Sequence, residues 1–143
     1  MSLPLGRDWL ASHLPHQGSM SLLDEIVRWD ATTILARARR HGDADHPLRR
    51  GGELPIAAGI EYGAQAAAAH GALVAGSAGP QAGFIASVRD VTFHSRRLDD
   101  VPEPLEIVAE QLGSGAAGVM YRFEVSAATR RLVEGRVTVA FLR

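Results

Sequence analysis

The chain has 143 residues and a formal net charge of −1, from 15 Lys and Arg against 16 Asp and Glu, a length that suits one folded domain and a balance that gives no global reason to bind nucleic acid. Its apolar fraction of 46% and charged fraction of 22% argue against disorder, and no apolar run reaches the roughly 18 to 20 residues of a membrane-spanning helix. With no cysteine, disulfides, thiolate nucleophiles and zinc–thiolate clusters are excluded.

The first residues carry Asp8 and two histidines and lack a continuous apolar stretch, so they do not read as a secretory signal and a cytoplasmic location is expected. Trp9, Leu10 and Leu14 stand at near-helical spacing, which predicts one short helix ended by Pro15. Residues 21–30 (SLLDEIVRWD) precede TTILARARR, in which Ile34, Ala36 and Ala38 alternate with Leu35, Arg37 and Arg39. The pair predicts a hairpin turning near Asp30-Ala31. From His41 to Pro55 the chain is rich in Gly, Asp, Pro and Arg without an apolar period. That is a long loop, and loops of more than roughly 12 residues in a compact domain are usually functional or disordered.

Residues 56–76 (IAAGIEYGAQAAAAHGALVAG) then predict the one long helix, favoured by alanine and ended by Gly76, Gly79 and Pro80. Its small side chains suit a helix approached closely by a curved sheet. After it the period becomes two, in segments 83–94, 104–112, 118–127 and 131–143 separated by turn-like pieces. An antiparallel meander of four strands is the economical topology. The expected class is α+β, a single domain over 1–143 with a short amino-terminal helix, two strands, a long helix and four strands.

Six antiparallel strands around one helix inserted after the second strand is the hotdog arrangement, and the motifs point to one branch of it. Leu14 to Asp30 (LPHQGSMSLLDEIVRWD) resembles the amino-terminal signature of 3-hydroxyacyl-acyl carrier protein dehydratases. In those enzymes the helix opens after a proline, carries the catalytic acid six residues later and a glutamine four beyond; Pro55, Glu61 and Gln65 reproduce both spacings. More closely, residues 59–76, the loop DHPLRR (45–50) and GFIASVRDVTFH (83–94) resemble the dehydratase-like proteins of aryl-polyene clusters, ApeP-like proteins.

The resemblance implies elimination of water from a 3-hydroxyacyl thioester carried on acyl carrier protein, giving the 2-enoyl thioester, with no metal or organic cofactor. Two groups are needed because the alpha carbon must lose a proton while hydroxide leaves poorly unless protonated. Glu61 is the implied acid, and Gln65, one turn on, is an implied substrate-binding residue together with Ile56 and Gly59 at the helix start, where backbone N–H groups would meet the acyl thioester. The family's histidine would fall on Pro47, so His46 is the expected base, with His41 and His16 as alternatives. Ile56 stands where the family has glycine.

The implied partners are the carrier protein and a second hotdog subunit, identical or different. Among the arginine doublets, Arg96-Arg97 and Arg49-Arg50 are the expected carrier-docking residues, since guanidinium offers planar donors to acidic groups. His94 belongs to that rim, and His70, about two and a half turns beyond Glu61, projects from the opposite side of the helix. His41, Asp43, Asp45 and His46 lack a recognised metal spacing, so no metal is expected. Two other readings stay open: a non-catalytic hotdog subunit that partners an active paralogue, and an acyl-thioester hydrolase using Glu61 as base or nucleophile.

Overall fold

The computed structural model describes residues 2–15, 18–76 and 83–141. A short helix α1 (Arg7–His13) and a 3-10 turn (Gly18–Met20) precede the hairpin β1 (Glu25–Trp29) and β2 (Thr33–Ala38). The long helix α2 (Ala58–Ala75) follows, and then β3 (Gly83–Phe93), β4 (Leu105–Gly115), β5 (Gly118–Ala127) and β6 (Arg130–Phe141). The expected α+β architecture is present, with α2 packed on one six-stranded antiparallel sheet.

The β1–β2 turn is fixed by Asp30, whose carboxylate accepts from the backbone N–H groups of Thr32 and Thr33, an aspartate turn that shapes the chain locally. Helix α2 ends where glycine was expected to end it. Gly76 adopts φ 66°, and its N–H donates to the Ala72 and Leu73 carbonyls, a conformation that costs glycine little.

The sheet order is β1-β2-β4-β5-β6-β3, which corrects one expectation. Only β4, β5 and β6 form a meander; β3 pairs with β6 at the edge rather than with β4. The connection after β3 explains the difference. Instead of turning tightly, it runs across the entry to α2, where Ile56 N–H donates to Arg96 O, Leu98 N–H to Leu54 O, and Leu54 N–H to the Asp99 carboxylate. A connection held there delivers β4 beside β2, where it pairs.

The core lies between α2 and the inner face of the sheet, where Leu105, Ile107, Tyr121, Phe123, Val125 and Val133 are fully or almost fully buried. Gly63 makes the close approach possible, since a Cβ there would lie 2.5 Å from the Phe123 ring. The alanine and glycine content of α2 is therefore a packing requirement of the sheet that covers it.

Candidate functional site

Helix α2 is buried on most of its circumference, and its less buried strip, continuing from the cap residue Ala57, carries Ile60 and Glu61. Glu61 is half-buried, and one turn further on Gln65 is 1% exposed. Gln65 Oε1 accepts from Leu22 N–H at 3.0 Å, and its Nε2 donates to Met20 O at 2.8 Å and to Glu61 Oε1 at 3.4 Å. A side-chain amide with both ends engaged is fixed in orientation. Gln65 thus ties the segment before β1 to the helix and holds one oxygen of Glu61.

His46 and His41 both lie buried in the 41–55 loop, at 7% and 3% exposure. The Leu48 N–H donates to His46 Nδ1 at 3.1 Å, and His46 Nε2 faces Tyr62 Oη at 2.9 Å. With Nδ1 accepting, the neutral ring carries its proton on Nε2 and donates it to Tyr62. Burial, then the nearby Arg40 and Arg49 guanidiniums, pushes the His46 pKa below 6.5, so the ring is neutral at physiological pH. Burial likewise raises the Tyr62 pKa, keeping the phenol protonated. His46 and Tyr62 line a cavity of about 220 Å³ with Ser19, Leu22, Arg40 and Asp45.

His41 is bound elsewhere. Its Nε2 donates to Val101 O at 2.9 Å, leaving Nδ1 buried without a hydrogen-bond partner. His16 lies outside the described residues. His70 is fully buried, and its Nε2 donates to Asp30 O while Nδ1 accepts from the Tyr121 hydroxyl; it joins the β1–β2 turn to the sheet. His94 pairs with Glu134 at 2.8 Å.

At the helix start the structure places the predicted binding residues differently from one another. Ile56 N–H is used by Arg96 O and Gly59 N–H by Ile56 O, so the donor expected at Ile56 is already engaged, while Gly59 backs on Val133 and Val125 of the sheet. Ala57, four residues before Glu61, is exposed at this end.

The four predicted docking arginines are engaged within the chain. Arg96 pairs with Glu53 at 2.7 Å, and Arg97 bridges Glu53 and Asp99. The Arg97 guanidinium holds the Asp99 carboxyl well below the usual carboxylate range. Arg49 donates to the carbonyls of Gly42, Asp43 and Gly52, and Arg50 to that of Arg49. Arg96 and Arg97 through Glu53, and Arg49 through Asp99 at 3.7 Å, lace the 41–55 loop to the connection after β3, while Arg50 bonds within the loop. Among the described residues no group of three or more His, Cys, Asp or Glu is arranged to hold a metal, and no helix is long and apolar enough to cross a membrane.

Sequence reasoning missed Tyr62. It follows Glu61 directly, but its link to His46 spans 16 residues of chain and leaves no periodic signal. The one available cue was a large aromatic in a helix otherwise built of small residues.

One long helix laid on a six-stranded antiparallel sheet, with a carboxyl on the strip the sheet leaves open, defines a hotdog-fold protein. The chain belongs to the ApeP-like family: the family model described as ApeP dehydratase matches residues 9–141. Among solved structures it is similar to the dehydratase heterocomplex ApeI:P from Xenorhabdus doucetiae, with TM-score 0.81 and 21% identity over 100% of this chain and 93% of that one. It is also similar to AziG of S. sahachiroi, with TM-score 0.62 and 19% identity over 87% of this chain and 93% of that one. A mutant thioesterase from Pseudomonas aeruginosa matches with TM-score 0.56 and 14% identity over 82% of this chain and 80% of that one. A comparison with curated protein sequences finds no match. At these identities the solved structures speak to the fold alone.

Proposed function

We propose that the chain is a subunit of a dehydratase that converts a 3-hydroxyacyl thioester, borne on an acyl carrier protein, to the 2-enoyl thioester and water. The observation that carries this reading is Glu61, a carboxyl presented on the open strip of a buried helix and held by an anchored glutamine. A base takes the proton from the alpha carbon, the carbon–oxygen bond at the beta carbon breaks as the double bond forms, and the Glu61 carboxyl protonates the departing hydroxyl.

His46 as it stands does not offer the base. One ring nitrogen is occupied by Leu48 N–H and the other bears the proton given to Tyr62, so no lone pair is presented to a substrate. The base therefore comes from a second hotdog subunit facing Glu61, as the heterocomplex formed by a structural relative suggests. The same locked ring favours the second reading, in which this chain contributes only half of the interface and the paired subunit does all the chemistry.

Turnover of a 3-hydroxyacyl-carrier thioester by the isolated chain, and by the chain mixed with its paired subunit, tests both. Enoyl absorbance should appear on mixing, and Glu61→Gln should lower the mixed rate by roughly 10² to 10⁴. A mixed rate indifferent to Glu61→Gln leaves the structural-subunit reading. Full activity of the isolated chain removes the need for a different paired subunit, and free thiol in place of enoyl product indicates hydrolysis.

A further inference from the structure

The cavity beside His46 holds a hydrogen-bond donor that the chain leaves unused. Leu48 N–H donates to His46 Nδ1, so the ring proton sits on Nε2 and Tyr62 Oη accepts it. Burial raises the Tyr62 pKa and keeps the phenol protonated, so its own hydrogen points elsewhere. Among the described residues none accepts that hydrogen. His46 and Tyr62 meet at this oxygen and both line the cavity, which is therefore the space open to it. Tyr62 is fully buried, and a donor without an acceptor there is costly. A partner inside the cavity removes that cost.

The surroundings of the hydroxyl narrow the chemistry of that partner. The floor is made by Tyr62, His46 and Leu22, all buried, while Arg7, Asp43 and Asp45 at the rim are exposed. Arg40, on the wall, is already matched: its Nε pairs with Asp24 at 2.9 Å and its Nη2 donates to the Ser21 and Leu23 carbonyls. With one rim cation beside two carboxylates, an entering anion would lose hydration without gaining an uncompensated positive charge. A cation would meet a floor whose free group is a donor. A neutral carbonyl oxygen suits the site, because it accepts the Tyr62 hydrogen while Leu22 and Pro47 receive small apolar substituents. At about 220 Å³ the cavity is below the roughly 300 Å³ at which pockets for drug-sized molecules begin. It takes one small molecule or the end of a longer one.

We infer that this cavity binds a neutral carbonyl compound, an amide or a ketone, through the Tyr62 hydroxyl, and that His46 is the positioning residue that aims it. The His46 bond also polarises the phenol and strengthens it as a donor. Glu61 is not among the described residues that line the cavity, so the site stands whether or not the dehydratase reading does.

The full chain, carrying isotope-labelled histidine, is titrated with N-methylacetamide and followed by nuclear magnetic resonance. His46 should show the Nε2–H tautomer, and its resonances should move along the binding curve. Tyr62→Phe should weaken binding roughly fivefold. Ser19, exposed and also lining the cavity, gives a second variant: Ser19→Trp fills the mouth without touching the His46–Tyr62 bond and should abolish binding. Circular dichroism should show both variants folded.

A His46 proton found on Nδ1 would mean that Tyr62 gives its hydrogen to Nε2, which overturns the inference. Acetate binding more tightly than the amide, amide binding that survives Ser19→Trp, or no saturable binding at all, with solvent alone in the cavity, does the same. Competition then identifies the source of the carbonyl. Displacement of the amide by a 3-hydroxyacyl pantetheine thioester would assign the cavity to a carbonyl of that substrate, and undisturbed amide binding would assign it to a separate small molecule; both results keep the site.

Discussion

His46 Nε2 and Tyr62 Oη lie 2.9 Å apart, joining the 41–55 loop to the helix that carries Glu61. Tyr62 is fully buried and His46 nearly so, so neither group has bulk water as a substitute partner. Tyr62→Phe leaves the His46 N–H unsatisfied at almost unchanged volume, and a buried unpaired donor costs about 1–3 kcal/mol. Urea denaturation should show a loss of that size, with the m-value unchanged. A midpoint equal to wild type would mean that the loop is not held by this bond.

The same ring sets a pH dependence. In the unfolded chain His46 titrates near its ordinary 6.5, whereas burial and two neighbouring arginines depress it in the fold. The unfolded state therefore binds the proton first as pH falls. The contribution of the neutral ring to stability is complete above about pH 6.5 and is lost as pH drops through the interval down to the depressed folded value. Denaturation midpoints measured from pH 7.5 to 5 should fall more steeply for wild type than for His46→Asn. Parallel curves for the two would assign the acid sensitivity to other groups.

The local signals of this fold were legible in the sequence and the long-range choices were not. Alanine enrichment and Gly76 marked α2, and strict alternation marked β5 and β6, because helix caps and strand periods are written in adjacent residues. The partner of β3 was not so written. It depends on where residues 94–104 are tied, through contacts such as Arg96 O to Ile56 N–H, and tight turns are only the default. The site divides in the same way. Glu61 and Gln65 stand one helical turn apart, so their contact follows from the spacing. Tyr62 with His46, and Gln65 with Met20 and Leu22, join elements distant in the chain, so no local spacing records them. The arginine doublets were visible as charge, but their carboxylate partners Glu53 and Asp99 were not.

Gly63 tests how tightly the sheet holds the helix. A methyl group there meets the Phe123 ring at 2.5 Å, inside van der Waals contact. Gly63→Ala should therefore destabilise by about 1–3 kcal/mol through overpacking, despite the better helix propensity of alanine. Combining it with Phe123→Leu should recover part of the loss, so the double change would cost less than the sum of the singles. Strict additivity would show that helix and ring are not in the contact described.

The edge strand β3 carries three large apolar side chains that the chain itself leaves open: Phe84 at 51% exposure, Val88 at 41% and Phe93 at 50%. Val88 and Phe93 pair in register with the buried Val137 and Val133, so both stand on the helix side of the sheet, the side on which Glu61 lies. An edge strand with unpaired backbone groups and apolar side chains invites association unless a partner covers it. If the second hotdog subunit sits against this edge, Val88→Asp and Phe93→Asp each place a charge in the contact, and each should weaken assembly by roughly tenfold or more. Because both positions are already open to solvent, the melting temperature of the dissociated chain should change little. Light scattering of the mixed subunits against concentration reads the first effect, and thermal denaturation at high dilution reads the second. Assembly at wild-type strength in both variants would place the subunit contact away from β3, and with it the approach of any external base to Glu61.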